Sequence, residues 1–321
     1  MVRILEILGV VILVIFAVAS VLLVASIIIH RCKVRKEGRE YLPPGNVVAV
    51  NDKRFHLYAE GEGDITLVFM AGHGTTNPTL DFKPLWMRMT DEYRIAVVER
   101  SGYGWSETSN SPRDIDTILE ETRKVLEVSG AKAPYILFPH SMSGLEAIHW
   151  TQEYPAEIRA IVGLDPCTPE TIDLIPKPKR MQLYTAYFLA RVGLSRFMPE
   201  SEVRENLPLL DSNELSDGDK KQYLAGFYRS AVTRDMLREI ECLEHNAKSV
   251  AANGTPIGTP MFFFISDDQD ENAPGWKEAL SNYLAGISIG HHMYLKTGHY
   301  VHHHKADQIA YAAKEFLREL G

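Results

Sequence analysis

The sequence predicts an α/β protein: a mainly parallel sheet with helices on both faces, interrupted by a helical insertion and preceded by a membrane-crossing helix. Three observations predict it. From residue 46 onward, short continuous apolar runs alternate with amphipathic helical stretches, the pattern of strands covered on both faces. That alternation stops at about residue 168 and resumes after about residue 255. A charge-free aliphatic run fills residues 7–29.

The aliphatic run comes first. Only Gly9, Ser20 and Ser26 interrupt it. As a helix it would span about 34 Å, enough to cross a hydrocarbon core of about 30 Å. "AVAS" at 17–20 offers a signal-type cleavage site, but the apolar run continues past it, and the residues before the run carry only Arg3 and Glu6 as charges. The expectation is therefore a single-pass anchor over residues 1–30. Arg31, Lys33, Arg35, Lys36 and Arg39 follow within a flank and linker over 31–45. That basic excess predicts a cytoplasmic soluble domain, with an extracytoplasmic placement as the alternative.

The sheet then begins. "VVAVNDKRFHLYAEGEG" reads as two strands about an Asn51-Asp52 turn. "ITLVFMA" (65–71), "RIAVVE" (94–99), "PYILFP" (134–139) and "IRAIVGL" (158–164) are short apolar runs of the buried-strand kind. Helical stretches fall between them, notably Ile115 to Val128 and Leu145 to Tyr154. Residues 168–255 carry only amphipathic helical patterns and read as a cap inserted into a core of residues 46–167 and 256–321. "PMFFFIS" (260–266) and the weaker "HHMYLK" (291–296) resume the strands, and a final amphipathic helix occupies about Lys305 to Leu320.

A net charge of −8 argues against nucleic acid as a partner. Cys32, Cys167 and Cys242 are far apart and suggest neither a disulfide framework nor a zinc site.

Three stretches carry chemistry. In "LFPHSMSGLEA" (137–147) a strand pattern stops at one serine and a helix pattern follows. That is the context of a nucleophile elbow, G-x-S-x-G, although Pro139 and Ser143 stand at its glycine positions. Ser141 is the candidate nucleophile; a serine merely capping a helix is the bland reading. Gly144 allows close helix packing. "FMAGHGTTNP" (69–78) offers a flexible backbone that can aim an amide at a developing oxyanion, and Thr75 and Met142 supply the natural pair of N–H donors. "KTGHYVHHHKADQIA" (296–310) places His299 in a late loop as the candidate general base. The crowd of His291, His292, His299, His302, His303 and His304 raises metal binding, but no associated cysteine or H-E-x-x-H pattern supports it, and no metal is assigned. The acid that orients His299 is sought in "FFISDDQDENAPGW": Asp270 is the choice for its reach, Asp267 next, and Asp165, before the cap, the outside candidate.

Taken together, "GHG", "ERSGYGWSE", "PHSMSGLEA", the late acidic loop and "TGHYVHH" resemble the α/β-hydrolase superfamily, specifically its capped serine esterase and peptidase-like members, over about residues 46–321. "ERSGYGWS" is similar to the family's D-R-x-G-x-G-x-S loop, with Glu99 in place of the usual aspartate. The resemblance implies a mostly parallel eight-stranded sheet and a Ser–His–acid hydrolase with Ser141 and His299 in the nucleophile and base positions. A serine there argues against the dehalogenase and epoxide-hydrolase branches, which use aspartate. The expected activity is cleavage of a carboxylic ester, a small-molecule acyl substrate for which the anchor suggests a lipid origin, through an acyl-enzyme and without a cofactor. An aminopeptidase or amidase, using a cap carboxylate near Glu200 and Glu202, and a non-catalytic binding protein of the same fold are the alternatives.

Overall fold

In the computed structural model, residues 2–321 are described; Met1, the first residue of the expected anchor, lies outside them. Helix α1 (Val2–Glu40) holds the aliphatic run and continues through the basic flank. The helix thus runs ten residues past the expected anchor of residues 1–30, into the basic flank. No proline follows the aliphatic run until Pro43-Pro44, and the helix passes through Gly38 before it ends. By length and composition α1 can cross a bilayer.

The core begins with β1 (Asn46–Val50) and β2 (Lys53–Glu60), joined by a turn in which Asn51 and Asp52 both take positive φ. It proceeds through β3 (Thr66–Met70), the short helices α2 (Pro78–Asp81) and α3 (Lys83–Trp86), β4 (Arg94–Val98), α4 (Ile115–Val128), β5 (Tyr135–Pro139), α5 (Ser143–Glu153) and β6 (Ile158–Leu164). Between β6 and β7 (Met261–Ser266) the described residues form helices and no strand: α6 (Arg180–Arg191), α7 (Glu200–Asn206), α8 (Asp217–Ser230) and α9 (Arg234–Ala252), with short 3-10 turns. After β7 come α10 (Gln269–Asn272), α11 (Trp276–Ala285), β8 (Gly290–Leu295), α12 (Val301–His304) and α13 (Ala306–Glu319).

The sheet is eight-stranded, in the order β1-β2-β4-β3-β5-β6-β7-β8. Only β2 pairs antiparallel with its neighbours; from β4 to β8 every pairing is parallel. The period-2 alternation of a strand divides the core in two. Val68 and Met70 join Leu145, Ile148, Trp150 and Trp276 on one face, while Leu67 and Phe69 join Phe82, Leu85 and Phe316 on the other. The cap has its own small core of Val203, Leu207, Leu209, Leu215, Tyr223 and Phe227, closed against Leu80.

Caps set the helix starts. Asp114 accepts from the Thr117 amide at the head of α4 (2.9 Å), and Thr233 from the Met236 amide at the head of α9 (3.3 Å). The strand order reverses around β3. Loops leaving β3 and β5 therefore emerge side by side at the carboxyl edge, where open α/β sheets bind ligands. The pairing of Met70 with Pro139 fixes that adjacency.

Candidate active site

The site is built from loops at the carboxyl ends of β3, β5 and β6 and the loop after β8. Ser141 sits between β5 and α5 with φ of +54°, a left-handed conformation that side chains rarely adopt. Two groups make the turn possible. Gly72, after β3, passes so close that a Cβ there would lie 2.9 Å from the Cβ of Ser141. Gly144 packs on the chain after β6, where a Cβ would meet the Cys167 carbonyl oxygen at 2.2 Å. Ser143, in the second glycine position of the motif, is buried and donates its hydroxyl to the carbonyls of Met70 (2.7 Å) and His140 (2.9 Å). The hydroxyl thus pins the elbow to the end of β3.

His299 donates its Nδ1–H to Asp165 Oδ2 across 2.7 Å. This leaves Nε2 free to accept a proton. Asp165, fully buried and itself at φ +50°, ends β6. It also accepts from the Ser266 amide (3.0 Å), the Ser266 hydroxyl (2.7 Å) and Trp276 Nε1 (2.9 Å). The first choice of acid from sequence is corrected here. Asp270 accepts from the Lys277 amide at 3.2 Å, and Asp267 is paired with Lys277 Nζ at 3.3 Å. Both are taken up locally at the start of α11, whereas Asp165 is carried to the imidazole by a strand end.

Two further bonds knit the loops. The Cys167 amide donates to the Ser141 carbonyl (2.8 Å), tying the acid's turn to the elbow. His140 Nε2 donates to the His299 carbonyl at 3.2 Å. His140 is buried, and that burial, with His299 and His302 beside it, holds its pKa well below the usual range. Thr75 is buried, and Met142 caps the start of α5. Among the hydrogen bonds of the described residues, none uses the amide of either.

The sequence pattern of the alpha/beta hydrolase fold matches residues 72–199. Over 317 residues the chain is 34% identical to uncharacterized protein YbdG of Bacillus subtilis (strain 168), covering 95% of this chain and 96% of that one. The chain belongs to the alpha/beta hydrolase family. Among solved structures, epoxide hydrolase VrEH1 of Vigna radiata superposes with a TM-score of 0.63 at 18% identity, covering 85% of this chain and 97% of that one. A putative lipase of Acinetobacter baumannii AYE does so with a TM-score of 0.62 at 15% identity, covering 91% and 96%. At those identities the two structures speak for the fold.

In this alpha/beta hydrolase the loop after β4 is organised by Glu99. The buried carboxylate accepts from the Trp105 amide (2.7 Å) and Thr79 Oγ1 (3.1 Å) and pairs with His56 Nδ1 (3.0 Å). Gly104 crosses directly over it, leaving no room for a Cβ. The longer glutamate thus still closes the loop that the family pattern closes with aspartate. The next residue, Arg100, lies between two buried carboxylates, Glu146 of α5 at 3.3 Å and Glu239 of α9 at 3.6 Å, and donates to the Ala71 carbonyl at 3.0 Å. Tyr103 donates its hydroxyl to Glu239, and His73 lies 3.7 Å from the same carboxylate. Sequence reading missed Glu239 because it sits on an amphipathic helix like any surface glutamate. Only its cap position and the basic loop that it meets could have pointed to it.

The histidine-rich stretch, to which the sequence reading assigns no metal, gathers around another residue that reading missed. Asp81, His302 and His303 present donor atoms within 4.8 Å of one another, close enough for one ion. Each imidazole Nε2–H donates to a different oxygen of Asp81, both at 3.0 Å, and Tyr223 of the cap donates to the same carboxylate at 3.1 Å. Burial brings the His302 pKa down to about 4. The two imidazoles thus share one carboxylate through their Nε2 atoms, while the Nδ1 of each is buried without a hydrogen-bond partner. Glu200 and Glu202 are exposed on α7, with Glu200 bonded to Arg204.

Proposed function

We propose that this chain is a membrane-anchored serine hydrolase that cleaves a carboxylic ester through an acyl-enzyme. The observation that carries the reading is the His299–Asp165 bond at 2.7 Å, in a loop that His140 ties to the turn holding Ser141 at φ +54°. In this reading the bond selects the tautomer with Nε2 as the base, and the strand-to-helix turn presents the Ser141 hydroxyl to it. In this mechanism Ser141 Oγ attacks the acyl carbonyl and its proton passes to His299 Nε2. The Thr75 and Met142 amides hold the oxyanion. Collapse expels the alcohol, which takes the proton from His299. Water then attacks the acyl-serine with His299 as base, releasing the acid and restoring the serine. Asp165 stabilises the imidazolium at both proton transfers.

The anchor is α1, which crosses the bilayer once and leaves the hydrolase domain on the cytoplasmic side, where its basic flank belongs. A fluorophosphonate probe applied to the full-length protein in detergent tests the chemistry. The expected result is one label on wild type and none on Ser141→Ala. A folded wild type that takes no label would favour a binding protein of the same fold.

A further inference from the structure

The cap carries a surface that the hydrolase reading does not use. Helix α6 buries only Ala190. Its outer residues include Met181 (78% exposed), Tyr184, Phe188 (51%) and Leu189, and the turn beyond adds Leu194 and Phe197 (68%). So many large apolar side chains on one exposed helix and turn mark an interaction surface rather than ordinary scatter.

Two independent observations say what covers it. The first is position. Ser26 of α1 donates to the Val192 carbonyl at 2.7 Å, and Gly193 lies so close to His30 that a Cβ would sit 2.4 Å from the His30 Cβ. One turn further along, Arg196 grips Glu37 through two bonds of 2.7 and 2.6 Å. Ser26 lies inside the apolar run and His30 directly follows it. At about 1.5 Å of rise per residue, Ser26 lies about 5 Å inside the end of that run, and Glu37 about 12 Å beyond it. The end of α6 and the turn after it are therefore held level with the edge of the hydrocarbon span. The second is charge. Residues 174–199 contain Lys177, Lys179, Arg180, Arg191 and Arg196 and no acid. Lys177, Arg180 and Arg196 are paired with Glu244, Glu241 and Glu37, which leaves Lys179 and Arg191 without a carboxylate among the described residues. The adjoining flank of α1 adds Arg31, Lys33, Arg35, Lys36 and Arg39 against Glu37 and Glu40. Aromatic and aliphatic side chains among lysine and arginine are the composition of a helix lying in an anionic headgroup region.

We infer that α6 and the turn through Phe197 dock into the surface of an anionic bilayer, so that the cap rests on the membrane crossed by α1. This inference rests on the anchor reading for its depth. Helix α9, which carries Glu239 beside His73, bonds to α6 through Glu241 and Tyr184 at 3.0 Å, so the docking face lies one helix from the candidate site.

Depth-resolved quenching tests it on the full-length chain, with Cys32 and Cys242 replaced by serine and the buried Cys167 retained. A nitrobenzoxadiazole dye is placed in separate proteins by Phe188→Cys, Phe197→Cys, Phe16→Cys in α1, and Tyr311→Cys on exposed α13. Each is reconstituted in phosphatidylcholine bilayers with or without phosphatidylglycerol and quenched with nitroxide-labelled lipids. The expected result is blue-shifted, quenched dye at 188 and 197, more so with phosphatidylglycerol, deep quenching at 16, and none at 311. Quenching at 16 without quenching at 188 and 197 would overturn the docking face and leave the anchor standing. The same outcome with a concentration-dependent dimer would assign the face to a second copy. Quenching at 188 and 197 without quenching at 16 would keep the docking face and remove the span. Equal quenching in the two lipid compositions would overturn the anionic preference.

Discussion

Asp165 and His299 meet across 2.7 Å although 134 residues and the whole cap separate them in the chain. The contact is made by the sheet. β6, β7 and β8 are parallel neighbours, so the turn after β6 and the loop after β8 leave the same edge. Ser266, at the end of the intervening β7, donates both its amide and its hydroxyl to Asp165 and fills the gap between them.

Replacing Asp165 by asparagine is expected to lower kcat by roughly 10⁴-fold, because the amide no longer selects the productive imidazole tautomer. Asp270→Asn is expected to stay within a few-fold of wild type, since its carboxylate only receives the Lys277 amide. Ester turnover by the two full-length variants, with circular dichroism as the fold control, checks both. A reversed order would return the acid to the loop after β7.

Gly144→Ala is expected to cripple the site without touching any reacting group. Its Cβ would fall 2.2 Å from the Cys167 carbonyl, a backbone atom that cannot swing aside. Relief must push the 165–168 turn away from the elbow, and Asp165 goes with it. Overpacking of this kind costs roughly 1–3 kcal/mol. The expected signature is a fall in kcat exceeding any change in KM, with a modest drop in Tm. A variant with unchanged kcat would show that the turn relaxes without moving the acid.

The central strands were legible because they are buried on both faces and write themselves as uninterrupted apolar runs; β6 falls on the expected residues 158–164. The turn that holds Ser141 was legible from one abrupt strand-to-helix switch. The acid was not, because its identity depends on which strand ends adjoin His299. An isolated aspartate after "IVGL" looks poorer than four acidic residues within 267–271. Asp81 and Glu239 were hidden for a related reason. Their partners, His302 and His303 in one case and Arg100 and Tyr103 in the other, lie more than one hundred residues away. The continuation of α1 through the basic flank was not legible, because a change from apolar to basic residues carries no helix-stop signal.

The His56–Glu99 pair predicts a pH dependence of stability. Burial alone would lower the pKa of His56, and Arg229 adds to that. The Glu99 carboxylate, with the Pro44 carbonyl on Nε2, outweighs both and raises it above the ordinary 6.5. A group raised on folding contributes stability that is full below its unfolded pKa and is lost as pH rises through its folded pKa. The Tm difference between wild type and His56→Gln is therefore expected to be largest below about pH 6.5 and to shrink as the pH rises above it. A difference that grows with pH would mean that the pair is held uncharged.

Glu239 is the cap's tie to the core. Burial pushes its carboxyl up, but Arg100 beside it prevails, with His73 and the Tyr103 hydroxyl, and holds it below the usual range. Arg100 and Glu239 lie 3.6 Å apart in a region closed to water. Removing one member of such a pair typically costs about 3–5 kcal/mol, because the other charge stays buried. Glu239→Ala should fall at the lower end, since Arg100 keeps Glu146 at 3.3 Å. Replacing both Arg100 and Glu239 with methionine should recover most of that loss, because the one carboxyl left without its cation, Glu146, already has its pKa raised by burial and can stay protonated. The two effects separate in thermal melts read beside turnover. Stability is expected to return in the double variant, whereas kcat stays low, because His73 and the loop that carries Thr75 lose the carboxylate that faces them. Full recovery of both would reduce Glu239 to a packing residue of the cap.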